Sequence, residues 1–268
     1  MTESEAALVA ALAAIARLPG ATVTVEPDAT WLCSGRPLEG LNHVLLAQLG
    51  NDDAAVEARI DALDSALRAK GSVPTTWWLG PSTTPVDLER RLEARGFTEA
   101  DPEFGMVLDL RGWPETSAAA GAGYASTVAG DVAPVTDAAG VDDFLAVMGG
   151  AYGWSDDGRS DAWAELYRLP GVLADETLRH VVVRDSGVPA ACASVFTADG
   201  HAFVTNVGTI PAARGRGLGT RATLAVLDIA ASQGSPVASL TASSMGRGVY
   251  ARIGFREDAL LRRRISPG

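Results

Sequence analysis

The sequence predicts an α+β chain made of two related halves, each a mixed sheet flanked by helices. Three observations carry this. Short apolar runs with hairpin signals alternate with helix-period segments along the whole length, the pattern of strands and helices around a central sheet. Residues 111–130, RGWPETSAAAGAGYASTVAG, are small, Gly/Ala/Ser-rich and without apolar period, which is linker composition. Both halves carry a helix ending in Gly-Phe, LEARGF at 92–97 and YARIGF at 250–255, and Cys33 and Cys192 each precede an apparent hairpin, the signature of a diverged tandem repeat. The expected domains are 1–110, a linker over 111–130, and 131–268.

In the first half MTESEAALVAALAAIARLPG is an amphipathic helix. Strands follow at Val23–Glu26, Thr30–Ser34 and Asn42–Gln48, a helix at Asp53–Ala69, a strand at 75–80, a helix at Asp87–Arg95 and a strand at 104–110. In the second half 131–137 is a strand. Val141–Tyr152 is a helix with Asp142 and Asp143 in its first turn, where the dipole favours acids. Asp161–Tyr167 is a helix, and 180–187, 188–200 and 201–209 are strands, the last two joined at Asp199-Gly200. Thr220–Gln233 is a helix closed by Gly234. A strand at 237–243, a short helix at Arg247–Ile253 and a strand at 259–265 complete the chain.

The 268 residues carry a formal net charge of −11, which repels nucleic acid and anionic membrane. Neither is an expected partner. Glu3 and Glu5 stand where a secretory leader needs positive charge, and no apolar run reaches the roughly 18 residues of a membrane span. The two cysteines, Cys33 and Cys192, sit in apolar strand-like runs and read as buried free thiols, so a reducing cytoplasm is expected. His43, His180 and His201 show no metal-ligand spacing, and no metal is expected.

The stretch RGRGLGT, Arg214–Thr220, follows a strand and opens a helix. A helix start leaves unpaired N–H groups and a partial positive charge, glycines admit an anion to the backbone, and Arg214 and Arg216 add charge. This is a cradle for pyrophosphate. A dinucleotide fingerprint would need glycine at Thr220, and a P-loop would need a lysine, so neither fits. What fits is R-x-x-G-x-G, as Arg214, Gly217 and Gly219.

That motif, with Tyr-x-x-x-Gly-Phe at 250–255 following a helix and a strand, resembles the GCN5-related N-acetyltransferases (GNAT). The resemblance covers about residues 131–265. It implies the GNAT fold, a mixed and mostly antiparallel sheet, and acetyl-CoA as cosubstrate. It implies that the pantetheine arm pairs as a pseudo-strand with backbone at Val207, Gly208 and Thr209. Amides around Gly215, Arg216, Gly217, Leu218, Gly219 and Thr220 would take the pyrophosphate. Tyr250 matches the tyrosine that protonates the departing thiolate. Ser243 stands where relatives often carry Asn, and Phe203 where some carry a glutamate base. Asp156 and Asp157, in GAYGWSDDGRSDAW, are candidate bases or simply a solvated acidic turn. Tyr152, Trp154 and Trp163 line an acceptor pocket or only pack.

The first half lacks the apparatus. Asn51, Asp52 and Asp53 occupy its helix start, where carboxylates satisfy the N–H groups and repel phosphate, and Leu92 stands at the position of Tyr250. It reads as a degenerate GNAT-like domain or an unrelated α+β domain. Two function classes follow: an N-acetyltransferase acting on a small-molecule amine or peptide acceptor, or a catalytically idle CoA-binding sensor or scaffold. The oligomeric state is not encoded in any motif.

Overall fold

The computed structural model describes residues 1–13, 19–38, 40–113, 131–154, 164, 167–169, 171–198 and 200–268. In chain order the elements used below are α1 (Glu3–Ala13), β1 (Thr22–Val25), β2 (Thr30–Cys33), β3 (His43–Leu45), α2 (Asp53–Ala69), β4 (Thr76–Leu79), α3 (Leu88–Glu93), β5 (Thr98–Asp109), β6 (Asp131–Pro134), α4 (Ala138–Tyr152), β7 (Leu178–Asp185), β8 (Val188–Ala198), β9 (His201–Thr209), α5 (Leu218–Ser232), β10 (Val237–Ala242), α6 (Arg247–Ile253) and β11 (Arg256–Ile265). They form a mixed sheet architecture flanked by helices. The chain divides into two compact units, Met1–Gly105 with Ala242–Met245 and Glu257–Gly268, and Met106–Thr241 with Gly246–Arg256. Most of the expected linker, 114–130, lies outside the described residues.

In the first unit the strand order is β1-β2-β3-β4-β11-β5. Helix α1 starts with a reciprocal capping box. The Thr2 hydroxyl accepts from the Glu5 N–H at 3.2 Å and the Glu5 carboxylate from the Thr2 N–H at 2.6 Å. Helix α2 buries Val56, Ile60, Leu63 and Leu67, one stripe at helical spacing, against Trp31, Val44, Trp77, Leu92 and Phe97. Trp78 points to the other face of β4, where its indole N–H donates to His43 Nδ1 at 3.1 Å. Strand β11 pairs antiparallel with β4, from Arg262 opposite Leu79 to Ile265 opposite Thr76. Its Arg264 is buried and paired with Glu89 and Glu93 at 2.8 and 2.6 Å. The strand expected over Asn42–Gln48 is shorter. It ends at Leu45 because Leu46 takes a left-handed φ of +49° and turns the chain.

In the second unit the order is β5-β10-β9-β8-β7-β6, and α4 and α5 pack on β7, β8 and β9. Helix α4 starts earlier than expected, at Ala138, because the Asp137 side chain accepts from the Gly140 N–H at 2.8 Å. Asp142 and Asp143 therefore lie past the first turn, paired with Arg168 and Arg184. Of the expected helix at Asp161–Tyr167, only Ala164 and Tyr167 are described, both helical. Asp199 of the hairpin lies outside the described residues.

The repeat is visible in how two helices end. The Phe97 N–H donates to the Leu92 carbonyl at 3.1 Å, with Gly96 at φ +82°, and the Phe255 N–H donates to the Tyr250 carbonyl at 3.0 Å, with Gly254 at φ +115°. Only glycine holds this left-handed position without strain, which is why both halves spell Gly-Phe there.

Burial depresses His43 and His180 from 6.5 to about 4. Both are neutral in the native chain, so as pH falls the unfolded chain binds protons first. From these two histidines stability is expected to be level just above 6.5 and to fall as pH drops from 6.5 to 4. Urea midpoints at about pH 7.5 and about pH 5.5 check this, since ordinary carboxylates do not titrate between them. Equal midpoints contradict it.

Candidate active site

The site begins with a fault in β9. Opposite β8, Cys192 pairs with Gly208 but Ser194 pairs with Thr205, so Asn206 and Val207 face the single residue Ala193. This is a β-bulge, with Asn206 at φ +53°. A buried polar cluster fastens it. The Asn206 amide donates to the Tyr167 hydroxyl at 2.7 Å and to Ser194 Oγ at 3.3 Å, and Ser194 Oγ meets His180 Nδ1 at 2.6 Å. The Cys192 thiol donates to the Asn206 carbonyl at 3.4 Å. Burial pushes that thiol up to about 12 and also raises Tyr167, so both stay protonated. Cys33 and Cys192 are both buried and free.

The bulge aims the next residues. The Ile210 N–H donates to the Ala190 carbonyl of the segment carrying β8 at 3.0 Å. Polar groups alternate along a strand, so Gly208 and Ile210 face β8 while Val207 and Thr209 face the opposite side. That side is open. Strand β9 pairs in parallel with β10 only from His201–Val237 to Val204–Leu240, although β9 runs on to Thr209 and β10 to Ala242. Phe203 lies in the paired stretch and is buried.

Beyond β9 the loop carries Gly215 at φ +75° and Gly217 at φ +78°, and Gly217 is the N-cap of α5 with no side-chain cap. Among the described residues, the N–H groups of Gly215, Arg216, Gly217, Leu218, Gly219 and Thr220 have no hydrogen-bond acceptor. A Cβ on Gly219 would stand 2.8 Å from Thr209 Oγ1, so glycine is what lets the helix start close on the end of β9. Unpaired N–H groups at a helix start are suited to an anion.

The two arginines are already engaged. Arg214 donates from Nε to the Thr209 carbonyl at 3.2 Å and from Nη2 to the Ala151 carbonyl at 3.0 Å. Arg216 forms a bidentate pair with Asp185 at 2.6 and 2.9 Å. The Arg216 charge is thus offset by Asp185, whereas Arg214, bonded only to neutral carbonyls, keeps its charge beside the loop. Tyr250 is buried in α6 with its ring edge-on to Phe255, centroids 5.9 Å apart. Ser243 is exposed just after β10. Tyr152 and Trp154 stack at the end of α4, and His201 is half-buried at the start of β9. Asp156, Asp157 and Trp163 lie outside the described residues.

This arrangement, a bulged strand parting from its parallel neighbour before an uncapped glycine turn, coincides with a family match. Residues 145–255 match the acetyltransferase (GNAT) family model. That stretch is similar to the GNAT acetyltransferases. Solved structures extend the fold likeness beyond it. A GCN5-related N-acetyltransferase from Kribbella flavida is 22% identical with a TM-score of 0.70, covering 100% of this chain and 97% of that one. A functionally unknown conserved protein from Staphylococcus epidermidis is 13% identical with a TM-score of 0.71, covering 91% and 92%. A tandem GNAT protein from the clavulanic acid biosynthesis pathway is 14% identical with a TM-score of 0.60, covering 97% and 88%. No curated protein sequence matches the chain. The expected GNAT fold in two related halves is thus present. Among the described residues no helix is long and apolar enough to cross a membrane.

The sequence reading missed the bulge and its polar cluster. It also missed a segment of the first unit. After the left-handed Leu46, the Thr84 N–H donates to the Ala47 carbonyl at 3.0 Å and the Leu49 N–H to the Thr84 carbonyl at 2.9 Å, with Gln48 and Thr84 bridged in parallel. The chain lays its own loop along this edge. At the matching helix start, the Asp52 carboxylate accepts from the Ala55 N–H at 2.8 Å.

Proposed function

We propose that the chain is an acetyl-CoA-dependent N-acetyltransferase that moves an acetyl group to a primary amine by direct attack in a ternary complex. The observation that carries this is the open edge at Val207 and Thr209 leading into the uncapped start of α5. The residues fit the cosubstrate. Backbone at Val207 and Thr209 would receive the pantetheine amides by strand addition, while Gly208 between them turns its polar groups to β8. The N–H groups of Gly215, Arg216, Gly217, Leu218, Gly219 and Thr220 would take the pyrophosphate. Acetyl-CoA, when bound, supplies an acetyl group activated as a thioester.

The phenol of Tyr250 would give its proton to the departing thiolate, and Ser243 would take the hydrogen-bonding place of an amide. An amine of ordinary pKa, about 10, is mostly protonated at neutral pH and must lose a proton before attack. Asp156 and Asp157 are the candidate bases. The first half is proposed to be a degenerate GNAT-like domain, with Asp52 at its helix start and Thr84 along its strand edge, so that the chain binds one acetyl-CoA. Net charge favours a cationic small molecule or basic peptide as acceptor.

The test is release of free thiol from acetyl-CoA with polyamines, aminoglycosides, amino acids and peptide N-termini. An amine-dependent release with at least one class is expected. Tight CoA binding with no release for any class would favour the idle module.

A further inference from the structure

The open edge of β9 is not bare. The Val207 carbonyl accepts from the Tyr152 hydroxyl at 3.2 Å. Tyr152 is the last residue of α4, it is 52% exposed, and its ring stacks on Trp154 at 6.5 Å. The first unit shows what that carbonyl is suited to. There the left-handed residue is Leu46, at φ +49°, as Asn206 is at φ +53° in the second. Counting on from each, Ala47 matches Val207 and Leu49 matches Thr209. In the first unit Ala47 uses its carbonyl and Leu49 its N–H, both on the backbone of Thr84. The atom that a peptide N–H occupies at Ala47 is therefore the atom that the Tyr152 hydroxyl occupies at Val207.

Arg214 does not compete in the same way. It holds the carbonyl of Thr209, while the group used at the matching Leu49 is the N–H. Among the described residues, Tyr152 alone sits on an acceptor that the incoming chain needs.

We propose that the Tyr152 hydroxyl is a displaceable stand-in for an amide N–H of the pantetheine arm, satisfying the Val207 carbonyl in the free protein and leaving it when the arm pairs with β9. This rests on the cosubstrate reading above. An edge carbonyl left unpaired is a site for unwanted strand pairing, and an exposed hydroxyl covers it with a bond that is cheap to break. The cost appears as affinity. Each binding event exchanges one neutral hydrogen bond for another, so the hydroxyl weakens binding by roughly two- to tenfold.

The test is calorimetric titration of wild type and Tyr152→Phe with CoA and with adenosine 3′-phosphate 5′-diphosphate, the same molecule without its pantetheine arm. Phe keeps the stacked ring and removes only the hydroxyl. The variant is expected to bind CoA roughly two- to tenfold more tightly and the truncated ligand equally well. An unchanged or weaker CoA Kd overturns the proposal, as does an equal shift for both ligands, which would place the effect at the pyrophosphate loop. Failure of wild type to bind CoA at all would instead strike down the cosubstrate reading itself.

Discussion

Tyr250→Phe is expected to lower kcat by about 10²–10⁴ while leaving KM for acetyl-CoA and thermal stability nearly unchanged. The first half supplies the reason for separating these effects. Leu92 occupies the matching place, fully buried, and its carbonyl accepts the same wrapped N–H, from Phe97 at 3.1 Å, that the Tyr250 carbonyl accepts from Phe255 at 3.0 Å. The helix ending and the packing at this position are thus met by a residue with no hydroxyl. Tyr250→Phe keeps the ring against Phe255 and removes only the proton donor. In the proposed mechanism the phenol's main interaction develops as the thiolate leaves, so its loss would fall on kcat. Steady-state rates with the best acceptor, with chemistry shown to be rate-limiting, check this. A kcat within about twofold of wild type, the scale of a surface change, would leave water as the acid.

Gly217→Asp is expected to weaken CoA binding by roughly 10²–10³ with the fold kept. Two like charges about 4 Å apart at an effective dielectric of about 20 repel by about 4 kcal/mol, which bounds the effect from above. The substitution copies the first half, where the Asp52 carboxylate caps α2 by accepting from Ala55. At Gly217 the same carboxylate would lie among the N–H groups proposed to receive pyrophosphate. Aspartate tolerates the left-handed backbone better than most residues, and a favourable charge at the start of α5 offsets the remaining strain. Calorimetry for binding and a melting curve for the fold check it. Undiminished affinity in a folded variant would move the phosphate site elsewhere.

Much of this site was legible because glycine leaves a mark. The left-handed Gly217, the close approach at Gly219 and the helix endings at Gly96 and Gly254 are each written as a residue that nothing else replaces without strain. Asp52 was legible for a similar reason, since a carboxylate at a helix start has one local use. The bulge at Asn206 was not. HAFVTNVGT reads as one strand, and a left-handed residue within it is stabilised by Tyr167 and Ser194, 39 and 12 residues away. The contact of Tyr152 with Val207 spans 55 residues and has no local signal. Leu46 is the harder case. A branched apolar residue at positive φ runs against local preference, and the apolar run through Gln48 hid the turn that lets Thr84 pair with Ala47 and Leu49. The early start of α4 follows from Asp137, a capping residue that the apolar pattern from Val141 onward outweighed.

The claim beneath both substitutions is that one half of the chain binds the cosubstrate and the other has closed the equivalent places with its own residues. Titration of the full chain with CoA by calorimetry tests this most directly. The account predicts one site per chain, lost in Gly217→Asp. Two equivalent sites, or a single site that survives Gly217→Asp with undiminished affinity, would contradict it.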